Sequence, residues 1–146
     1  MARSTKIILA VVVLLVLIQL YPVDKSIPKY DTSQGFLQVY DPPEDVKQIL
    51  QNACFDCHSY QTQWPWYSRI APVSWIIKHH VSEGRDYFNF DTWGQLTPKK
   101  QRHITEEMYD EIEEREMPLT GYVWMHKEAA LSASERARLL NWLKTL

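Results

Sequence analysis

The 146 residues suffice for one domain around one core, and a net charge of −2 supplies no basic field of the kind that nucleic-acid binding requires. Hydrophobic residues make up an ordinary 45% of the chain, but many of them sit in its first 23 positions. Eight Pro against four Gly point to stiff connections between short elements.

Arg3 and Lys6 precede Ile7 to Ile18, a run without a polar side chain, followed by Gln19, Leu20, Tyr21, Pro22 and Val23. A basic start and an apolar run of this length form a signal or a single membrane-spanning anchor. No small-x-small cleavage pattern follows, so the expectation is an uncleaved anchor over residues 1–23. The basic residues then stay in the cytoplasm and the remainder is exported. Residues 24–41 are polar and read as a linker, with Phe36, Leu37, Val39 and Tyr40 able to dock its end onto the domain.

The exported domain is expected over 42–146. Asp41-Pro42-Pro43-Glu44-Asp45 predicts a helix start with Asp41 as N-cap, and Val46, Ile49, Leu50 and Ala53 give that helix one apolar stripe. It runs into Cys54-Phe55-Asp56-Cys57-His58, which contains the only two cysteines of the chain. Two thiols three apart with a histidine directly after the second form a c-type haem attachment site. The thiols bind the porphyrin covalently and His58 becomes an axial ligand to iron. A redox dithiol is one alternative, without the βαβ context that such pairs occupy. A zinc site from Cys54, Cys57 and two histidines, such as His58 with His79 or His80, is another.

Ser59 to Ile70 predicts an irregular stretch around one haem edge. Ala71-Pro72-Val73-Ser74 starts a second helix, with Val73, Ile76, Ile77, His80 and Val81 on its inner face and Gly84 as its stop. Arg85 to Gln95 reads as loop anchored by Phe88, Phe90 and Trp93. Thr97-Pro98 caps a third helix with Ile104, Met108 and Ile112 inward, ending at Glu116-Met117-Pro118 because the residue before proline leaves the helical region. The acidic side chains on its other faces read as a solvated surface, since they lack the loop spacing of a calcium site. Ser132 and Glu135 form a capping box for a last helix with Leu139, Leu140, Trp142, Leu143 and Leu146 on its apolar face. No strand alternation is visible, so the fold class is all-α.

The second axial position needs a neutral nitrogen or sulfur donor. Met117 is favoured, because Pro118 keeps it in a loop from which its side chain can turn inward. Met108 reads as core, while Met125, His80, His126 or an open position are the alternatives. Arg85 is a candidate for a haem propionate, against a surface ion pair with Glu83 or Asp86. Pro65 or Pro72 could offer a carbonyl to Nδ1 of His58, although shaping the loop is the simpler role for both. Asn89 and Trp93 read either as donors to the haem or as braces.

Asn52-Ala53-Cys54 to Ser59 and Thr62-Gln63-Trp64-Pro65-Trp66-Tyr67 to Trp75 resemble the bacterial single-haem "haem-binding domain" family of c-type cytochromes. His80-Val81 to Arg85, Asn89-Phe90 to Trp93, and Met117-Pro118-Leu119 to His126 extend the resemblance over about Pro42 to Leu146. It implies a cytochrome c-like helical fold around one covalently bound haem c with its iron. The expected role is electron transfer with redox partner proteins at the outer face of the cytoplasmic membrane. The alternative is a haem enzyme or gas sensor with an open distal position.

Overall fold

The apolar N-terminal run is helical in the computed structural model, which describes residues 2–146. Helix α1 (Arg3–Leu17) continues through a 3-10 turn at Ile18–Leu20. The stretch Arg3–Leu20 is long and apolar enough to cross a membrane, and none of it is buried in the protein. At 1.5 Å per residue its 18 residues measure about 27 Å, close to the hydrocarbon thickness of a bilayer.

The other elements are α2 (Phe36–Tyr40), α3 (Glu44–Ala53), α4 (Phe55–His58), α5 (Val73–Tyr87), α6 (Pro98–Glu113), α7 (Thr120–Met125) and α8 (Ala133–Leu143), joined by loops and 3-10 turns. No strand occurs among the described residues, so the all-α class holds. The stripe Val46, Ile49, Leu50 and Ala53 of α3 is buried as its spacing requires, and α3 and α6 both pack on α8. Thr97 accepts the backbone N–H of Lys100 at the start of α6. Both halves of the Ser132–Glu135 capping box are present at the start of α8.

Phe36 lies at the centre of the core with no exposed surface. Its ring meets those of Phe90, Trp93 and Trp142 edge-on at 4.9, 4.8 and 5.8 Å. Burying one such ring is worth about 1.5–3 kcal/mol, enough to hold the five-residue α2 that carries it. The expected docking of Phe36 is thus realised, and packed chain begins ahead of residue 42. Asp41 does not cap α3. It closes α2 in the left-handed conformation (φ 43°), and α3 begins after Pro43 without a side-chain cap.

Helix α5 also differs from expectation. It passes through Gly84 and ends at Tyr87, because Gly84 is where the helix meets the backbone of Cys57. Ser74 and Val81 of α5 are buried, and the expected inner face of Val73, Ile76, Ile77, His80 and Val81 lines one cavity of about 470 Å³ together with Cys57. Helix α6 ends at Glu113, three residues before the proline-based expectation. Arg115 adopts a left-handed conformation (φ 67°), and its N–H bonds to the Ile112 carbonyl at 3.3 Å. The Glu116 N–H returns to the Glu111 carbonyl at 2.9 Å, completing a Schellman turn.

Candidate functional site

Cys54 breaks the chain between α3 and α4, and one helical turn follows it: the N–H groups of Cys57 and His58 reach the Cys54 carbonyl at 3.3 and 3.0 Å. Positions i, i+3 and i+4 of a helix share a face, so both thiols and the imidazole point to the same side. They open on a cleft with two lobes, of about 290 and 470 Å³, the size that cofactor sites take. Cys54 lines the first lobe, with Phe88, Met108, Ile112 and Leu131; Cys57 lines the second, with His80, Gly84, Leu119 and Tyr122. His58, Met117 and Pro118 line both.

The His58 ring stacks on Phe88, 4.2 Å between centroids and 15° from parallel. Its Nδ1 is buried without a hydrogen-bond partner, a deficit that costs roughly 1–3 kcal/mol. Burial lowers the His58 pKa, against the backbone of Phe88 and Gly84, which favours the charged ring. The carbonyls suggested for this nitrogen are engaged elsewhere. Pro65 O accepts from the Ser68 N–H and hydroxyl, and Pro72 O from the Trp75 N–H, so both prolines shape the loop.

Burial pushes the Cys54 thiol up to about 12, with the neighbouring Cys57 adding to it. Cys57 rises to about 11 through burial and the Asp56 charge, partly opposed by Arg85. Thiols held protonated in this way are poor exchange nucleophiles, which removes support from the dithiol alternative. No group of three His, Cys, Asp or Glu side chains that could hold a metal ion occurs among the described residues. A half-orphaned imidazole on an aromatic ring, two neutral thiols and apolar walls do fit a haem.

Met117 enters the cleft from the loop after α6. Its N–H bonds to the Glu111 carbonyl at 3.1 Å, the same oxygen that closes the Schellman turn, and Arg136 of α8 donates to the Ile112 carbonyl beside it. Met108 is buried in the core but reaches only the first lobe. Met125 lies outside both lobes, and His80 is an exposed residue at the rim of the second. His126 is committed elsewhere: its Nε2 meets the Tyr67 hydroxyl at 2.6 Å and its Nδ1 faces Glu128 at 3.1 Å.

Arg85 lines neither lobe and pairs with neither Glu83 nor Asp86. Its Nε donates to the Ser59 carbonyl and its Nη2 to Thr62 Oγ1, both at 2.7 Å, so it braces the chain leaving His58. Asp91, which the sequence did not single out, holds the same stretch. It is buried and accepts the Tyr60 N–H and the Gln61 amide, each at 2.6 Å. Asn89 caps the Asp91 N–H with its side-chain oxygen, while its Nδ2 and the Trp93 Nε1 are buried without partners. Asp56, between the two cysteines, accepts the Tyr122 hydroxyl at 2.7 Å and so ties α7 to α4. Burial foremost, and then this bond, raise the Tyr122 pKa.

A family described as "Haem-binding domain" matches residues 13–145 of the chain. No curated protein and no solved structure matches it.

Proposed function

The chain belongs to the haem-binding domain family and is a haem-binding protein; from that premise we propose a membrane-tethered c-type cytochrome that passes single electrons. One haem is held by thioether bonds to Cys54 and Cys57 and ligated by His58 and Met117. The observation that carries this reading is the presence of His58 and Met117 in one apolar cleft, both lining each of its lobes. Iron with one imidazole and one thioether ligand exchanges one electron at a comparatively high potential and leaves no position for substrate.

The protein's own residues supply the rest. Phe88 fixes the His58 ring from behind, and Gly84 lets α5 close over Cys57. Met108, Ile112 and Leu131 keep water from one wall, which favours the neutral donors that the site offers. The Schellman turn and Arg136 hold the Met117 loop to α6 and α8. Arg85 and Asp91 fix residues 59–62. Helix α1 supports the tether by its length and apolarity. Arg3 and Lys6 at its start favour a cytoplasmic N-terminus, with the haem domain on the periplasmic side where covalent attachment takes place.

The test is the absorption spectrum of the full chain made with haem-attachment machinery. A sharp low-spin reduced spectrum, unchanged by carbon monoxide, with pigment that stays on the protein under acid–acetone extraction, is the expected result. A carbon monoxide-shifted spectrum would support the open-site sensor or enzyme instead, and extractable pigment would remove the thioether bonds.

A further inference from the structure

The end of the membrane-length helix and the residues that follow it grip one segment of the domain. Gln19 holds Ala71 with both ends of its amide, Nε2 donating to the Ala71 carbonyl at 3.0 Å and Oε1 accepting the Ala71 N–H at 2.9 Å. Trp75 Nε1 donates to the Tyr21 carbonyl at 3.2 Å. Lys25 donates to the carbonyl and hydroxyl of Ser68, each at 2.8 Å, and lies 4.7 Å above the Trp64 ring. Gln19 stands at the end of the Arg3–Leu20 stretch. Ala71 is therefore within one side chain's length of the place where a spanning α1 would leave the hydrocarbon.

The surface around Ala71 is apolar. Trp66 is 74% exposed, Ile76 55%, Ile70 45% and Val73 42%. Val73 and Ile76 also line the cavity that reaches Cys57, whereas Trp66 and Ile70 lie outside it. Residues 64–80 contain Arg69 and Lys78 and no carboxylate, in contrast with the acidic run from Glu106 to Glu116. Exposed tryptophan with aliphatic neighbours and basic side chains is the composition favoured at a membrane–water interface, where rings sit among headgroups and cations meet anionic lipid.

We propose that Trp66 and Ile70 form a second membrane contact that seats the haem domain on the lipid interface beside α1. The occupant of this face is the headgroup and upper acyl region of the bilayer that α1 crosses, because Gln19 and Tyr21 bind the face directly to the end of the span. The inference rests on the tethered reading above. It makes the domain a seated body with one orientation, and residues 24–41 a strap along it rather than a free linker.

The full holoprotein, reconstituted in phosphatidylcholine–phosphatidylglycerol vesicles containing a trace of phosphatidylcholine with an acyl-chain diazirine, is photolysed and its adducts are mapped by mass spectrometry. Labelling of residues 66–76 at least about tenfold above the α6 surface, together with labelling of α1, is expected for side chains among acyl carbons. The double variant Trp66→Ser/Ile70→Ser loses the 66–76 adducts while its α1 adducts and haem spectrum stay; both positions are exposed and line no part of the cleft, so the core is untouched. Labelled α1 with 66–76 at the α6 level overturns the seat and leaves the tether standing. Unlabelled α1 overturns both.

Discussion

Gly84 of α5 rests directly on Cys57: a methyl group on its Cα would lie 2.8 Å from the Cys57 carbonyl oxygen and 3.1 Å from its carbon. The partner is backbone within the Cys54–His58 turn and cannot swing aside. Alanine is the better helix former by about 1 kcal/mol, but overpacking against an immovable partner costs about 1–3 kcal/mol. The clash wins. Gly84→Ala should lower the unfolding midpoint by several degrees and reduce the yield of covalently haem-loaded protein. Thermal unfolding and the extraction-resistant pigment measure the two effects separately. An unchanged midpoint with full loading would show that α5 can shift away from Cys57 freely.

Replacing Met117 should open the second axial position if that residue is the ligand. Met117→Ala is expected to lose low-spin character, bind carbon monoxide and drop in potential by on the order of 100 mV, since thioether ligation favours the reduced iron. His80→Ala, at an exposed rim position, should keep the parent spectrum. Absorption, carbon monoxide titration and a potentiometric titration of the two variants side by side decide the point. Low-spin character lost in His80→Ala and kept in Met117→Ala would reverse the assignment.

Local signals in the sequence were reliable where the partner is also local. The α3 stripe, the Thr97 cap and the Ser132–Glu135 box involve residues within one or two turns, and each forms as its spacing dictates. The turn at Cys54–His58 is local in the same way, as Cys54, Cys57 and His58 share one helical turn. The length of α5 was not legible, because Gly84 packs on Cys57 and does not end the helix, a contact between elements that the pattern of α5 itself does not contain. Arg85 sits among charged neighbours and was expected to meet one, or a propionate; it instead satisfies two neutral oxygens 26 and 23 positions earlier. Asp91 carries no local signal at all, since its partners Tyr60 and Gln61 lie about thirty residues away.

Those long-range bonds give a third prediction. Asp91→Ala leaves the Tyr60 N–H without its acceptor in a partly buried place, at a cost of roughly 1–3 kcal/mol. Asp91→Asn retains one acceptor oxygen and should cost less. Chemical denaturation supplies the stabilities, and hydrogen exchange at the Tyr60 amide supplies the local readout, which should accelerate in the alanine variant. Arg85→Ala is expected to loosen residues 59–62 in the same assay with a small change in potential. A large shift in potential without faster exchange would return Arg85 to the propionate role.

Arg115 ends α6 in a conformation that suits glycine better. With φ at 67°, its Cβ crowds the following carbonyl, a cost of about 1–2 kcal/mol for an L-residue. Arg115→Gly removes that cost and keeps both hydrogen bonds of the Schellman turn, which are made by backbone groups. Against this, glycine adds freedom to the unfolded chain worth about 0.5–1 kcal/mol. The arginine side chain is exposed, so little packing is lost. The net expectation is a gain of about 0.5–1 kcal/mol, read from denaturant unfolding with an unchanged slope. Because Met117 hangs from the same Glu111 carbonyl, the low-spin spectrum should be preserved or sharpened. A destabilised variant would mean that Arg115 makes stabilising contacts in solution beyond its backbone, and a lost low-spin spectrum that the turn alone does not hold Met117 in place.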